Sequence, residues 1–233
     1  MTSKESNNPI KVKDFAGPSS TMLDNSSKPQ ATLETKSRLE ITSTSSELTE
    51  FSYDIKVPKD RVAVLIGKNG EIKKRLEEAT DCKLNIDSNE GDVLIRGTDS
   101  IGLYVAREVI RAIARGFNPD IATLLLKHEY MLDVIDLRDY APTKNSQIRL
   151  KGRVIGAEGN SRRVLEELTD THISVYGKTI SIIGEIGNVG IAKNAIEKLL
   201  QGNMHAGVYR DLERKRRDMR LRKIEDNLNF KQT

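Results

Sequence analysis

Apolar residues alternate with polar ones just after position 50. One polar residue separates each member of the series Phe51, Tyr53, Ile55 and Val57 from the next. This period of two predicts a strand with one buried face. Pro58 follows directly and ends it.

After Pro58 the apolar spacing changes and predicts the rest of a first folding unit. The predicted elements are helices over 60–65 and 71–79, strands over 83–87 and 92–96, and a longer helix from a cap at Asp99 or Ser100 to about Arg115. The order is therefore β-α-α-β-β-α.

A second unit repeats this order, beginning with an apolar-rich strand over 131–137. Its other predicted elements are helices over 147–155, 161–168 and about 189–200, with strands over 173–176 and 179–183. Between the units, Asn118 and Pro119 have the types expected at a helix cap and first helical position, so we predict a connecting helix there.

Two glycine pairs show that the units are copies of each other. Ile66-Gly67-Lys68-Asn69-Gly70 returns as Ile155-Gly156-Ala157-Glu158-Gly159, an offset of 89 residues. The segment 77–81 matches 166–170 at the same offset, with an identical Glu-Glu start and Thr-Asp end. We conclude that the chain holds two copies of one unit, each built around a Gly-x-x-Gly turn.

The glycine turn has chemistry that suits a nucleic-acid backbone. Glycine permits positive φ where two helices meet sharply, and it leaves no side chain to hold phosphates away. Backbone N–H groups at the start of the next helix can then face phosphates. Lys68 and Asn69 add a cation and a neutral donor, whereas Ala157 and Glu158 add neither.

These residues resemble a known RNA-binding family. Ile66-Gly67-Lys68-Asn69-Gly70-Glu71-Ile72 looks like the signature of a KH domain. The paired arrangement, with Val154-Ile155-Gly156 and the run 174–179, resembles archaeal partner-of-NOB proteins. The resemblance covers roughly 48–225 and implies an α+β fold with two tandem type I KH domains. Each would be a three-stranded sheet packed on helices.

The expected domain organisation follows from the repeat and from composition. It comprises a disordered tail over 1–46, the first KH domain over 47–117, the connecting helix over 118–129, the second KH domain over 130–203, and a basic C-terminal helix or tail over 204–233. The tail is rich in Ser, Thr and Asn, too polar to form a core. Its one candidate element is a short strand near 38–42.

Charge is concentrated at the C-terminus. The chain has a net charge of +4, and residues 203–233 hold nine Lys and Arg against five Asp and Glu. The rest of the chain is therefore balanced, and this segment supplies the bias toward a polyanion. Arg210, Arg214 and Arg217 share one face if the segment is helical.

The candidate RNA contacts lie at both turns, beside them and on the basic segment. They are Ile66, Gly67, Lys68, Asn69, Gly70, Lys73, Arg153, Ile155, Gly156, Ala157, Gly159, Asn160, Ser161, Arg162, Arg163, Arg214 and Arg217. The resemblance implies that the second KH domain is the principal reader of RNA, whereas loop composition favours the first. Both alternatives stay open.

The resemblance also implies a function and partners. It implies a non-catalytic assembly factor that binds single-stranded pre-rRNA or rRNA near the 3′ end of the small-subunit RNA. Its partners would be the NOB endonuclease and the alpha subunit of initiation factor two. Two alternatives remain: an accessory KH subunit of an RNA-processing enzyme, and a protein-binding scaffold.

Other features of the chain exclude several classes of function. One cysteine and three scattered histidines predict no metal site, and we expect no cofactor. The chain has no apolar run long enough for a membrane span, and we expect a cytoplasmic protein. Gly177-Lys178-Thr179 resembles the end of a phosphate-binding loop, but it lies between two predicted strands and is read as a hairpin turn.

Overall fold

The structure is a computed structural model that describes residues 40–41 and 50–230. The tail expected over 1–46 lies outside the described residues, apart from 40–41. Within the described ranges the two predicted units are both present, each in the predicted order.

The first unit is an antiparallel sheet packed on three helices. Its elements are β1 (Glu40–Ile41), β2 (Phe51–Lys56), α1 (Lys59–Ile66), α2 (Glu71–Thr80), β3 (Cys82–Ile86), β4 (Asp92–Gly97) and α3 (Ser100–Ala114). The sheet order is β1-β2-β4-β3, so the short candidate strand of the tail forms a fourth strand at one edge. Asp99 caps α3 by accepting hydrogen bonds from the amides of Ile101 and Gly102.

The connection between the units is less helical than predicted. Asn118 caps α4 (Pro119–Ala122), as its side-chain type indicates, but this helix is one turn long. A 3₁₀ turn follows over Thr123–Leu126. The chain then becomes extended at Lys127 because it must enter the next strand at Tyr130, so no continuous helix covers 118–129.

The second unit repeats the first without the extra strand. It contains β5 (Tyr130–Asp136), α5 (Lys144–Ile155), α6 (Asn160–Thr169), β6 (Thr171–Tyr176), β7 (Thr179–Glu185) and α7 (Ile186–Leu200). Its sheet has the order β5-β7-β6 and is antiparallel throughout. Residues 177 and 178 form the hairpin turn, as predicted.

The second sheet is covered on both faces. Every residue of β7 from Thr179 to Gly184 is buried. Ile183 packs with the core of the first unit, together with Tyr130 and Leu132 of the same sheet. In the first sheet, by contrast, the outward-facing Lys83 and Asn85 are exposed. The two units therefore share a core through the outer face of one sheet only.

A last helix, α8 (His205–Phe230), completes the second unit. Val208 and Leu212, one turn apart, are buried in the second core at 3% exposure each. The ammonium group of Lys198 on α7 lies 2.9 Å from the carboxylate of Asp211. The first half of the basic segment is thus a packed element of the fold.

Candidate nucleic-acid interface

The two glycine turns have the same backbone. We call Gly67–Gly70 loop 1 and Gly156–Gly159 loop 2. The φ angles of the first, third and fourth residues are +73°, +54° and +77° in loop 1 and +73°, +53° and +78° in loop 2. Each loop breaks the chain between two helices, so neither glycine pair lies inside a continuous helix.

The first glycine of each loop is required by the protein's own packing. A Cβ atom on Gly67 would lie 2.5 Å from Cγ1 of Ile72. On Gly156 it would lie 2.6 Å from Cβ of Ser161. These contacts are too short for any larger residue, so this position is a structural one.

The second glycine of each loop faces open space. A Cβ atom on Gly70 or Gly159 would meet no atom within 4 Å. Their positive φ still favours glycine, but no neighbouring residue demands it. These two positions therefore leave the main chain open to a close approach from outside.

The helices that follow the loops present their N-termini at this open position. Gly70 and Gly159 are the N-cap residues of α2 and α6, and neither helix has a side-chain cap. The amides of Glu71 and Asn160 donate to the loop carbonyls of Lys68 and Ala157. The positive end of each helix dipole still lies at this position. Both sites can accept an anionic phosphate.

Loop 1 is flanked by cationic and neutral donors. Lys68 and Asn69 are exposed. Lys73, one turn into α2, is half-buried and lies 3.9 Å from the Glu77 carboxylate. Glu77 also accepts a 2.8 Å hydrogen bond from the amide of Leu84, which ties α2 to β3. Lys68 is therefore the most accessible cation of this loop.

Loop 2 has a different set of side chains. Ala157 and Glu158 are exposed, and Glu158 holds the left-handed conformation. Asn160 and Arg163, just beyond the loop, are also exposed. Arg162 is exposed and lies 3.8 Å from Glu166, which repeats the Lys73–Glu77 pair of the first unit. The cations of this unit thus stand on α6 and not in the loop.

Ser161 is not on the surface, contrary to its selection as an RNA contact. Its side chain is buried, with 5% exposure. The hydroxyl of Tyr209 on α8 lies 2.8 Å from Ser161 Oγ and donates to it. Ser161 therefore attaches the start of α6 to the C-terminal helix.

Arg153 is likewise engaged by the protein. Its guanidinium donates to the carbonyls of Leu199 at 3.0 Å and Asn203 at 2.6 Å, where α7 ends. His205 Nε2 lies 2.8 Å from the Arg153 carbonyl oxygen. Arg61 bonds the end of α3 in the same way, through the carbonyl of Ile113 at 2.9 Å. In both units an arginine therefore caps the helix that follows the hairpin, α3 in the first and α7 in the second, and Arg153 serves the fold.

The remaining candidate contacts are two isoleucines and two arginines. Ile66 and Ile155, which precede the loops, are half-buried. On α8, Arg214 and Arg217 are exposed, as a phosphate contact requires. Arg214 also lies 3.1 Å from the Asp211 carboxylate.

Three further features of the described residues concern metal binding, the cysteine and membrane crossing. Within residues 50–221 no cluster of His, Cys, Asp and Glu is placed to hold a metal ion. Cys82 is buried, and burial raises the pKa of its thiol. In the same part of the chain no helix combines the length and the apolar character that a membrane crossing needs.

Comparison with family models finds both units. Residues 52–112 match the KH domain, and residues 131–217 match the eukaryotic type KH domain (KH-domain type I). The second match includes the first half of α8, in agreement with the burial of Val208 and Leu212.

The chain is similar to whole proteins as well. It is 51% identical over 175 residues to KH domain-containing protein MJ0443 of Methanocaldococcus jannaschii, covering 73% of this chain and 77% of that protein. It is 29% identical over 140 residues to pre-rRNA-processing protein PNO1 of Chaetomium thermophilum, covering 56% of this chain and 54% of that protein. The chain thus spans about half the length of the fungal relative.

A solved structure shares the fold of both units. It is Dim2p in an a/eIF2alpha–aDim2p–rRNA complex from Pyrococcus horikoshii OT3, with 43% identity and a TM-score of 0.68. The match covers 72% of this chain and 96% of the archaeal one.

Proposed function

The chain belongs to the PNO1/Dim2 family of two-KH-domain proteins, also called partner-of-NOB proteins, and we propose that it binds single-stranded small-subunit rRNA near the 3′ end. It acts there as an assembly factor that holds or shields the RNA. The pre-rRNA-processing name of its fungal relative and the rRNA in the complex of its archaeal relative support this proposal.

One observation carries the proposal: the second glycine of each loop has no neighbouring atom that would exclude a side chain. Gly70 and Gly159 face open space and start uncapped helices. KH loops of this kind clamp about four backbone nucleotides. Phosphate contact therefore comes from the main chain, with Lys68 in one unit and Arg162 and Arg163 in the other adding charge.

We propose that the protein performs no chemistry on the RNA. Its relatives are named as a KH domain-containing protein and a pre-rRNA-processing protein. Within the described residues no group of His, Cys, Asp and Glu is placed to hold a metal ion. Cleavage of the RNA would then belong to a separate enzyme, for which we propose the NOB endonuclease.

A second proposed partner is the alpha subunit of initiation factor two, because a relative is found in a complex with it and rRNA. We also propose a cytoplasmic location, where small-subunit RNA and this factor would meet. Co-purification of the tagged full chain, with and without RNase treatment, tests whether either protein partner binds directly.

The RNA-binding proposal is tested by two loop variants. One combines Lys68→Asp with Asn69→Asp, and the other is Ala157→Asp beside the native Glu158. Added negative charge at the open glycine should repel phosphate, so we expect each variant to weaken binding by at least about tenfold, or about 1.4 kcal/mol. Fluorescence anisotropy with a small-subunit 3′-end oligonucleotide, at one fixed salt concentration, measures this.

A matched control carries the same charge change elsewhere. Lys83→Asp with Asn85→Asp alters two exposed residues on the outer face of the first sheet. This control should bind like the native protein. Native affinity in both loop variants would contradict the proposal, and so would an equal loss in the control.

A further inference from the structure

A cavity opens where the first half of α3 meets the start of β5. It has a volume of about 230 Å³. Ile101 and Tyr104 line it from α3, Leu125 lines it from the 3₁₀ turn, and Tyr130 and Leu132 line it from β5. We call this cavity and the exposed side chains around it the α3–β5 surface. Its lining is mainly apolar, which is typical of a binding site.

Two large apolar side chains of the α3–β5 surface are exposed. Ile101 is 64% exposed and Tyr104 is 54% exposed. They are three residues apart on α3 and therefore share a face of the helix. Single exposed apolar residues are ordinary, whereas an exposed pair beside an apolar cavity indicates an interaction site.

The aromatic rings of this surface are held in place by cations. The guanidinium carbon of Arg107 lies 5.7 Å from the centre of the Tyr104 ring and 5.4 Å from that of Tyr53. The ammonium group of Lys127 lies 5.7 Å from the centre of the Tyr130 ring. Such contacts restrain the rings. A restrained tyrosine loses little side-chain entropy on association, so it suits a protein–protein contact.

The exposed polar side chains that line the cavity are cationic or neutral. They are Lys127 and His128. Glu108 lines the cavity too, but it is 8% exposed, and its carboxylate lies 3.5 Å from Arg111 and 3.7 Å from Arg107. Its charge is therefore compensated within the protein. A partner that complements this surface would carry acidic groups beside an apolar side chain.

The α3–β5 surface is separated from loop 1 by the length of a helix. A Cβ atom on Gly102 would lie 2.4 Å from the carbonyl oxygen of Thr80, so the start of α3 lies against the end of α2. Loop 1 lies at the other end of α2, whose ten residues span about 15 Å. A protein could therefore contact Ile101 and Tyr104 while loop 1 holds RNA.

We propose that the α3–β5 surface is the docking site for the alpha subunit of initiation factor two. An apolar side chain of that subunit enters the cavity beside Tyr104, and acidic groups next to it face Lys127. The inference rests on the proposed function, in which this subunit is a partner and both loops bind RNA. It adds that the contact is direct and independent of RNA. The complex of an archaeal relative with this subunit and rRNA supports it, since both ligands are bound at once.

The test measures binding of the purified alpha subunit to the full-length chain by biolayer interferometry, without RNA. Ile101→Ala with Tyr104→Ala should lower the affinity by at least about tenfold, because it removes the aromatic anchor. Both residues are exposed, so this variant should bind a small-subunit 3′-end oligonucleotide like the native chain. The control is Met204→Ala with Leu221→Ala, which removes two apolar side chains that are 82% and 53% exposed elsewhere. It should bind the subunit like the native chain.

Two further variants test the charge at the rim and the separation from RNA. Lys127→Glu should slow association with the subunit by about threefold, because a cation at the rim of an interface attracts acidic groups. Unchanged association would contradict the acidic contact. Lys68→Asp with Asn69→Asp should leave binding of the subunit unchanged while it weakens binding of RNA.

The outcomes separate this inference from the function on which it rests. A tenfold loss for the subunit in the α3 variant, with RNA binding kept and the control unaffected, supports it. Native affinity for the subunit in that variant overturns it, and so does an equal loss in the control. An equal loss of RNA binding also overturns it, because the surface would then serve RNA or the fold. If the native chain binds RNA but not the subunit, the inference fails and the RNA-binding function stands.

Discussion

The two KH domains have the same loop backbone in different surroundings. Loop 1 and loop 2 agree within a few degrees at their three positive φ angles. Behind loop 1, Ile72 packs into the apolar core of the first unit. At the equivalent place behind loop 2, Ser161 accepts a hydrogen bond from Tyr209 on α8. The same main-chain geometry is therefore supported by apolar packing in one domain and by an added helix in the other.

The difference shows which features the loop itself requires. The residues that both units share at the end of the second helix are structural. Glu77 and Glu166 each accept a 2.8 Å hydrogen bond from an amide of the following strand. Thr80 and Thr169 each donate to the carbonyl one turn earlier. The middle side chains of the two loops, by contrast, differ, which is expected if the main chain makes the essential contact.

The largest effect is expected from a variant that weakens the packing of α8, a helix that only the second unit has. Leu212→Ala removes a side chain of α8 that is 3% exposed in the second core. We expect the free energy of unfolding to fall by about 2–4 kcal/mol because a cavity remains. Chemical denaturation measures the loss. Hydrogen exchange should become faster in β5–β7 and stay slow in β3 and β4.

The control for this prediction is on the same helix. Leu221 is 53% exposed, so Leu221→Ala should change stability by less than about 0.5 kcal/mol. Equal acceleration of exchange in both sheets after Leu212→Ala would show that α8 supports the whole chain and not the second unit.

The next effect is of similar size and should be the same in both units, which would sharpen the comparison. Gly67→Ala forces a Cβ against Ile72, and Gly156→Ala forces one against Ser161. Each should cost about 3 kcal/mol from overpacking and strained φ. Gly70→Ala and Gly159→Ala meet no neighbour and should cost only about 1 kcal/mol, yet they should weaken RNA binding. A reversed order of stability in either loop would refute the assignment of roles to the two glycines.

The smallest effect is expected when the third residues of the two loops, Asn69 and Glu158, are exchanged. Asn tolerates the left-handed conformation better than Glu does. Glu158→Asn should therefore stabilise the chain by about 0.5 kcal/mol, and Asn69→Glu should destabilise it by a similar amount. Thermal denaturation of the two variants and of the double exchange measures this. Shifts of the same sign in both single variants would contradict the explanation.

Much of the fold could be predicted because the signals were local. Alternation over 51–57, the helix cap at Asp99 and the two glycine pairs each fix a short stretch of backbone. The repeat then fixed the order of elements in the second unit. Lys68 and Asn69 could be proposed as contacts because they place a cation and a neutral donor in the loop, and the structure leaves both exposed.

The rest depended on contacts between distant parts of the chain. The burial of Ser161 and the helix-capping role of Arg153 both involve the segment 199–209, about 40 to 50 residues later. Val208 and Leu212 have helical spacing, but the charged residues around them hide a buried face. The stretch Ile180-Ser181-Ile182-Ile183 was a usable signal, because a strand that lacks strict alternation of apolar and polar residues is often covered on both faces.

The main-chain account of RNA binding is tested most directly by amide chemical shifts. Titration of the ¹⁵N-labelled full chain with a small-subunit 3′-end oligonucleotide reports on both loops at once. The account predicts large shifts for the amides of residues 70–72 and also of residues 159–161, despite Glu158. Shifts confined to lysine and arginine side chains, or absent from both loops, would contradict it.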